Sequence, residues 1–242
     1  MRFGLLGRDI DYSFSRAYFA EKFQEEKLHH CSYENFDLDD LTHLKKVLQT
    51  PHLKGMNVTI PYKQDVMPFL DNLDEVSKAI GAVNTIVFDK EGTTTGYNTD
   101  YIGFQNSITP MITTEIKAAL VLGKGGASKA VVYALQKMGI ETQYVSRKKG
   151  YNNLTYEELT ETDMEKHKLI VNCTPLGTHP NILQKPNLKY DQLTSMHVLF
   201  DLIYNPTETA FMKAGRKAGA RVGNGKNMLV GQAEASWRLW NM

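Results

Sequence analysis

A glycine cluster that follows a short apolar run is the clearest chemical feature of the sequence. Gly123, Gly125 and Gly126 come directly after the apolar run 118–122, and an amphipathic segment over 127–138 follows them. Glycines at such a turn let the backbone approach a pyrophosphate, whose charge is met by N–H groups at the helix N-terminus. The order of strand, glycine turn, helix and second strand is typical of a dinucleotide-binding βαβ unit.

The residues that end the second strand indicate which dinucleotide binds. An NAD site usually has an Asp or Glu there, which accepts a hydrogen bond from the ribose 2′-hydroxyl. This chain instead has Ser146, Arg147 and Lys148 after an apolar run that stops at Val145. Because basic side chains suit a 2′-phosphate, the sequence predicts NADP as the cofactor. A glycine turn with a purely structural role and a solvated basic loop are the alternatives.

A second group of polar residues could hold a small polyhydroxylated substrate and move a proton. Asn57 and Thr59 are two positions apart on a strand predicted over 55–59, so their side chains share a face, and Lys63 follows. Asp100 lies at another strand-to-helix junction, where the positive end of the helix dipole stabilises a carboxylate. A carboxylate facing a lysine would hold the ammonium group and help it transfer protons. A surface lysine and a helix-capping aspartate are the alternatives.

The elements that must position these residues form an α/β unit over the first hundred residues. The pattern predicts strands at 3–7, 30–36 and 55–59, helices at 15–27 and 38–49, and a hairpin of 82–89 with 93–97. Ser15 is the predicted N-cap of the first helix. Pro61 suits the first position of a further helix, whose first turn would carry Lys63.

The glycine turn lies in a second unit at the middle of the chain. This unit has a predicted helix at 99–112, strands at 169–173 and 198–202, and a helix at 207–218. Because the preceding domain lacks a phosphate turn, we expect it to supply the substrate site. We therefore predict an α/β protein of two domains with the active site in the cleft between them. Residues 1–100 and 226–242 form the substrate-binding domain, and residues 101–225 form the Rossmann-like NADP domain with a parallel sheet.

The composition excludes several classes of function. The 242 residues have a formal net charge of +1 and no long run of like charge, so nothing indicates nucleic acid or an anionic membrane surface. The apolar start is too short for a signal peptide, and no segment approaches the roughly 20 apolar residues of a membrane span. Cys31 and Cys173 form no CxxC pair, which favours a reduced cytoplasmic setting. The histidines lack ligand spacing, so we predict no metal.

Several further motifs occur together in one order. They are N-V-T-I-P-Y-K at 57–63, G-A-V-N-T at 81–85, N-T-D at 98–100, N-C-T-P-L-G at 172–177, D-L-I-Y-N-P-T-E-T at 201–209 and M-L-V-G-Q-A at 228–233. With Ser13 and Ser15 and the glycine turn, they follow the order found in shikimate dehydrogenases. The chain resembles that family over essentially its full length.

The resemblance implies reversible hydride transfer between NADPH and 3-dehydroshikimate, which gives shikimate in the chorismate pathway of aromatic amino-acid biosynthesis. It implies that Lys63 and Asp100 carry out acid–base catalysis and that the two serines bind the substrate carboxylate. The substrate-binding residues it implies are Ser13, Ser15, Thr59, Asn84, Tyr204 and Gln232. The cofactor-binding residues it implies are Gly123, Gly125, Gly126, Ala127, Ser146, Arg147, Lys148, Asn172, Thr174, Gly225 and Met228.

Four positions depart from the pattern of the family. Members usually have Pro after the second serine and often His before the first, where this chain has Arg16 and Tyr12. These two changes bear on the carboxylate site. Lys124 replaces a small residue in the glycine turn, and Ser146 replaces an Asn, so both bear on cofactor affinity. The sequence leaves open whether Lys124 adds charge near the phosphates or points to water.

Two other functions remain as alternatives. One is a quinate/shikimate dehydrogenase of broader substrate and NAD use. The other is a non-catalytic NADPH-binding module, although such a module would be free to lose Lys63, Asp100 and Gln232. Tyr133 and Lys137 match the Tyr-x-x-x-Lys spacing of short-chain dehydrogenases, but we interpret their position in the helix after the glycine turn as coincidence. We expect a monomer or a homodimer.

Overall fold

The protein, as a computed structural model, is described for residues 1–11 and 13–242, so the change at Tyr12 lies outside the described residues. This part of the chain forms two compact units. The first unit contains residues 1–99 and 233–242, and the second contains residues 100–232. Each unit is built on a six-stranded sheet.

The sheet of the first unit is mixed. Its strands are β1 (Arg2–Gly7), β2 (Ser32–Asp37), β3 (Leu53–Val58), β4 (Asn72–Leu73), β5 (Thr85–Phe88) and β6 (Thr94–Tyr97), in the spatial order β2-β1-β3-β5-β6-β4. β1 pairs in parallel with β2 and β3, whereas β5 pairs antiparallel with β3 and β6. The pairing of β5 with β6 confirms the predicted hairpin.

The helices of the first unit are α1 (Phe14–Glu25), α2 (Leu44–Leu48) and α3 (Glu75–Ile80), with a 3₁₀ turn at Met67–Phe69. The predicted N-cap of α1 was wrong. Ser13, not Ser15, occupies the cap, since its extended backbone precedes the helix and its Oγ accepts a hydrogen bond from the Ser15 N–H at 3.2 Å. Capping by a serine hydroxyl satisfies one of the amide groups that lack a partner inside the helix.

Two other helix predictions in this unit were wrong. The helix expected over 38–49 forms only at α2, because the Asp40 carboxylate accepts from the Thr42 N–H at 2.7 Å and offers the backbone a local alternative to helix. No helix begins at Pro61. Residues 60–66 form successive turns, in which the Tyr62 N–H donates to the Thr59 carbonyl at 2.9 Å. Lys63 therefore lies on a turn segment.

The sheet of the second unit is entirely parallel. Its strands are β7 (Ala118–Leu122), β8 (Glu141–Ser146), β9 (Asn153–Thr155), β10 (Leu169–Asn172), β11 (Val198–Asp201) and β12 (Arg221–Asn224), in the order β12-β11-β10-β7-β8-β9. Every residue of β7 and β10 is buried, as expected where helices cover both faces of a parallel sheet. β9 and β12 escaped prediction because they are short and lack a regular apolar pattern.

The helices of the second unit are α4 (Asp100–Ile108), α5 (Gly126–Lys137), α6 (Glu161–Lys166) and α7 (Ala210–Lys217), followed by the start of α8 (Lys226–Trp240). α4 is shorter than predicted, since a 3₁₀ turn that contains Pro110 follows it. Two buried apolar clusters pack against the sheet of this unit. Within the described residues, no helix has the length and apolar character needed to cross a membrane.

Candidate active site

The glycine turn between β7 and α5 has the geometry of a phosphate site. Gly123 has a φ of +102°, where L side chains are disfavoured, and a Cβ there would lie 3.2 Å from the Cys173 carbonyl oxygen. Gly125 occupies the N-cap of α5 without a side-chain capping bond, and a Cβ added to it would meet no atom within 4 Å. Gly126 and Ala127 open the helix. The N-terminus of α5 is thus approachable by an anion, which fits the pyrophosphate of a dinucleotide.

The end of β8 has basic residues and no carboxylate. Arg147 and Lys148 are exposed, and the Ser146 hydroxyl donates to the Lys148 carbonyl at 2.7 Å. Burial raises the pKa of the nearby Tyr156 to about 12, and the Arg147 charge acts in the opposite direction. The residues present fit a 2′-phosphate better than a free 2′-hydroxyl, because an exposed guanidinium can pair with an anion.

Lys124 has partners that the sequence did not suggest. Its ammonium group donates to the Tyr151 carbonyl at 3.0 Å and to the Asn153 side-chain oxygen at 3.2 Å. It also lies over the Tyr144 ring, 5.9 Å from the centroid. The glycine turn is therefore bonded to the segment that follows β8.

A buried polar network joins the ends of β10 and β11. Asn172 donates to Asp201 at 3.0 Å, and its oxygen accepts from both the N–H and the hydroxyl of Thr174. Asp201 also accepts from Thr209 at 2.6 Å and from the Ile203 N–H at 3.0 Å. Burial raises the pKa of Asp201 to about 6. These bonds hold the loop after β10 in place. The Asn172 side chain thus fixes the backbone beside the glycine turn.

Asp201 and Thr209 were not among the predicted site residues. Their motif, D-L-I-Y-N-P-T-E-T, contained a usable signal, because a Thr before a helix is a common N-cap. Thr209 does cap α7, since its hydroxyl accepts from the Met212 N–H at 3.3 Å while it donates to Asp201. Tyr204 is half-buried on the same loop.

The predicted site residues around the start of α8, which are Gly225, Met228 and Gln232, are all buried. Gly225 has no room for a side chain, because a Cβ there would lie 2.1 Å from the Leu202 carbonyl oxygen. Met228 is buried in an apolar cluster of the second unit. Gln232 is buried as well, and its amide donates to the Leu229 carbonyl at 2.9 Å. Asp100, the first residue of α4, is also buried.

The first unit contains a buried cluster of neutral polar side chains at the ends of β3, β5 and β6. Asn84 accepts from the Thr99 N–H at 2.6 Å and donates to the Thr99 hydroxyl at 2.9 Å. Thr85 and Ser236 share a hydrogen bond of 2.7 Å, and Asn57 donates to Ser236 at 2.9 Å. The cluster consists of Asn57, Asn84, Thr85, Thr99 and Ser236, and it leaves these side chains well fixed.

Tyr33 connects this cluster to α1. Its hydroxyl donates to the Asn57 side-chain oxygen at 2.8 Å. Burial raises the pKa of Tyr33, and the nearby Ser15 side chain acts in the opposite direction. Lys63 is half-buried, and its carbonyl accepts from the Val83 N–H at 2.7 Å, one residue before Asn84. The first unit thus brings Ser15 close to the cluster through Tyr33, and a backbone hydrogen bond joins Lys63 to the residue before Asn84.

Known proteins are similar to this chain in sequence and in architecture. Residues 5–86 match the family described as the shikimate dehydrogenase substrate binding domain. The chain is also 38% identical to a shikimate dehydrogenase (NADP(+)) of Clostridium beijerinckii, over 98% of this chain and 91% of the relative. The chain belongs to the shikimate dehydrogenase family.

Solved structures of this family agree with the fold. A shikimate 5-dehydrogenase from Thermus thermophilus in complex with NADP(H) and shikimate is 30% identical, with a TM-score of 0.88 over 99% of this chain and 93% of that one. A quinate dehydrogenase from Corynebacterium glutamicum in complex with NAD is 27% identical, with a TM-score of 0.87 over 99% and 93%. The predicted fold class, an N-terminal α/β substrate domain with a Rossmann-type domain, is confirmed.

Ser146 and Lys124 are the two residues of the second unit that depart from the pattern of the shikimate dehydrogenase family, and their contacts differ. Ser146 donates within its own loop, whereas Lys124 reaches from the glycine turn to that loop. Within the described residues, no group of three His, Cys, Asp or Glu side chains is arranged to hold a metal ion. The roles of the individual site residues stay predictions.

Proposed function

We propose that this protein is an NADP-dependent oxidoreductase that interconverts 3-dehydroshikimate and shikimate in aromatic amino-acid biosynthesis. Its membership of the shikimate dehydrogenase family supports the reaction. One observation carries the choice of cofactor. The strand after the glycine turn ends in Ser146, Arg147 and Lys148, with exposed basic side chains where an NAD site has a carboxylate.

The second unit binds NADP in this proposal. The N–H groups at the start of α5 bind the pyrophosphate, because the glycines keep side chains away from it. Arg147 and Lys148 bind the 2′-phosphate by charge-assisted hydrogen bonds. Asn172 and Thr174 shape the loop beside the turn. NADP, when bound, supplies or accepts the hydride.

The first unit binds the substrate carboxylate through Ser13 and Ser15. The Ser13 oxygen already accepts the capping bond, so its O–H hydrogen serves as a donor to the carboxylate. Thr59 and Asn84 bind the ring hydroxyls, with Tyr204 and Gln232 as further substrate contacts. The bonds between Asn84 and Thr99 support this role, because they fix the amide in one orientation.

Lys63 and Asp100 perform the proton transfer. Lys63 donates a proton to the carbonyl oxygen as the hydride arrives at the carbonyl carbon, and it accepts the proton in the reverse direction. Asp100 is its acid–base partner. Because proton transfer belongs to the chemical step, loss of Lys63 lowers kcat far more than it changes the KM for substrate.

The second candidate is a quinate/shikimate dehydrogenase that also uses NAD. It is favoured by the likeness of this chain to a quinate dehydrogenase in complex with NAD. We also propose a cytoplasmic location, since both cysteines are free thiols. A monomer or a homodimer is consistent with this function.

Initial rates of nicotinamide reduction test the proposal. Shikimate and quinate are each offered with NADP⁺ and with NAD⁺ over a range of concentrations. We expect the highest kcat/KM with shikimate and NADP⁺. Comparable rates with quinate or NAD⁺ would favour the second candidate. NADPH binding without turnover of any pair would contradict both and favour a non-catalytic module.

A further inference from the structure

The segment after β8 is a tight loop that is held by one buried side chain at the start of β9. Residues 147–152 connect β8 to β9, which pair in parallel with Tyr144 opposite Asn153. Parallel neighbours usually need a connection of about a dozen residues or more, so this loop is short. Asn153, which is 4% exposed, donates to the Ser146 hydroxyl and to the Lys148 carbonyl, both at 3.1 Å. Its amide thus holds the residues on both sides of Arg147.

The other end of the Asn153 side chain is bonded to the glycine turn. Its oxygen accepts from the Lys124 ammonium group at 3.2 Å, and the same ammonium group donates to the Tyr151 carbonyl at 3.0 Å. Gly150 leaves space for this contact, because a Cβ there would lie 2.9 Å from the Asn153 oxygen. Lys124 and Asn153 therefore join the pyrophosphate turn to the loop that carries Arg147 and Lys148.

We propose that Lys124 and Asn153 are positioning residues that hold the 147–152 loop ready for the 2′-phosphate and so set the preference for NADP over NAD. This inference rests on the proposed function of the second unit. Arg147 and Lys148 are exposed, and ordering a flexible loop on binding costs free energy. A loop that is already ordered avoids this cost. The gain applies to NADP alone, because NAD has no 2′-phosphate for the two basic residues.

A direct role of the Lys124 charge at the pyrophosphate is the competing explanation. Two of the three N–H donors of this ammonium group are used by Tyr151 and Asn153, which supports the positioning role. The two explanations make different predictions for Asn153. Asn153→Ala removes the bonds to the loop and leaves the lysine charge in place. A direct charge effect would also act on NAD, which has the same pyrophosphate.

The experiment compares Lys124→Met, Asn153→Ala and the double variant with the unaltered chain. Lys213→Met, at an exposed lysine on α7, is the matched control for loss of one charge. Steady-state rates with saturating shikimate give kcat and KM for NADP⁺ and for NAD⁺. We expect each single variant to raise the KM for NADP⁺ about tenfold, which equals about 1.4 kcal/mol. The kcat and the KM for NAD⁺ stay within about twofold, as expected for a positioning role.

The double variant and a conservative replacement sharpen the test. Because the two residues contact each other and hold the same loop, the loss in the double variant is smaller than the sum of the two single losses. Lys124→Arg retains two donors and recovers most of the NADP⁺ preference. An equal rise in KM for both cofactors in Lys124→Met, with Asn153→Ala unaffected, would overturn the proposal in favour of a direct charge effect.

Binding of adenosine 2′,5′-bisphosphate separates this inference from the proposed reaction. Calorimetry with this probe needs no turnover, and AMP serves as the probe without the 2′-phosphate. We expect Lys124→Met to weaken binding of the bisphosphate about tenfold and to leave AMP unchanged. Unchanged bisphosphate binding would refute the inference even if the chain oxidises shikimate. If Asn153→Ala fails to fold, Lys124→Met and Lys124→Arg still decide the question.

Discussion

The polar residues of the first unit and those at the end of β8 in the second unit are solvated very differently. The cluster of Asn57, Asn84, Thr85, Thr99 and Ser236 is neutral, buried and bonded within itself. At the end of β8, the basic side chains are exposed, and the bonds that order the loop come from neighbours. A buried network fixes geometry because an unpaired member costs the full desolvation penalty. An exposed basic side chain instead attracts an anionic ligand, and the strength of this attraction depends on how well the side chain is positioned.

The two regions should therefore respond differently to substitution. Changes in the buried cluster are expected to lower stability, whereas changes at the end of β8 are expected to alter the KM for the cofactor. Asp201 and Asn172 form a third kind of region, since their network is buried and contains an ionisable group.

Lys63→Met tests the proposed proton donor of the first unit, whose carbonyl accepts from the Val83 N–H beside the buried cluster. We expect kcat to fall about a thousandfold, as for the loss of a positioned proton donor. The KM for shikimate and the thermal stability should change little, because Lys63 is half-buried on a turn. Steady-state kinetics and thermal unfolding measure both. Near-normal turnover would refute the acid–base role of Lys63.

Asp201→Asn tests the buried ionisable network. The folded-state pKa of Asp201, about 6, is above its ordinary value of 3.8, so the native state holds the proton more tightly than the unfolded chain. On this account, the free energy of unfolding falls as the pH rises from about 4 through about 6, by about 3 kcal/mol. Urea unfolding at several pH values should show that the free energy of unfolding of the unaltered chain falls relative to that of the variant over this range. Parallel profiles would contradict the assignment.

Asn57→Ala tests the cost of breaking the buried neutral cluster. The substitution removes the bonds that Asn57 makes to the Tyr33 hydroxyl and to Ser236 inside a buried cluster, so the free energy of unfolding should fall by about 2 kcal/mol. Asn106→Ala, at an exposed position in α4, is the control and should change stability by less than about 0.5 kcal/mol. Urea denaturation compares them. Equal losses in the free energy of unfolding would show that the buried position is no more sensitive to substitution than the exposed one.

Arg147→Ala tests the exposed region. We expect the KM for NADP⁺ to rise about tenfold, or about 1.4 kcal/mol, with stability and the KM for NAD⁺ unchanged. The reason is that Arg147 is exposed and would contact only the 2′-phosphate. The same kinetic assay with both cofactors provides the measurement. A similar loss with NAD⁺ would place Arg147 at a part of the cofactor that NAD shares.

A pair of substitutions at Ser13 has the smallest expected effect. Ser13→Ala removes the cap of α1 and should cost about 1 kcal/mol, whereas Ser13→Gly should cost only a few tenths. Both remove the hydroxyl proposed to bind the substrate carboxylate, so both should raise the KM for shikimate equally. If the KM for shikimate rises more in Ser13→Ala than in Ser13→Gly, as the loss of stability does, then Ser13 acts only as a helix cap.

The sequence predicted well those elements that have a regular apolar pattern or a glycine turn. The βαβ unit around Gly123 and the hairpin of β5 with β6 were predicted because local periodicity and turn chemistry define them. The helix predicted over 38–49 was too long, since the Asp40 carboxylate accepts from the Thr42 N–H. The parallel pairing of β9 with β8 involves only three residues and leaves no periodic signal.

The chemical groups available to this protein follow from its residue types and their order alone. The motifs from Asn57 to Ala233 indicate the family, and the glycine turn and the basic residues after β8 predict NADP as the cofactor, because these depend on residue types and their order. Which side chains bond to one another became visible in the folded chain. Lys124 reaches Asn153, and Asn57 reaches Ser236, across 29 and 179 positions of the chain. Such contacts depend on how strands and helices pack, and no local pattern encodes them.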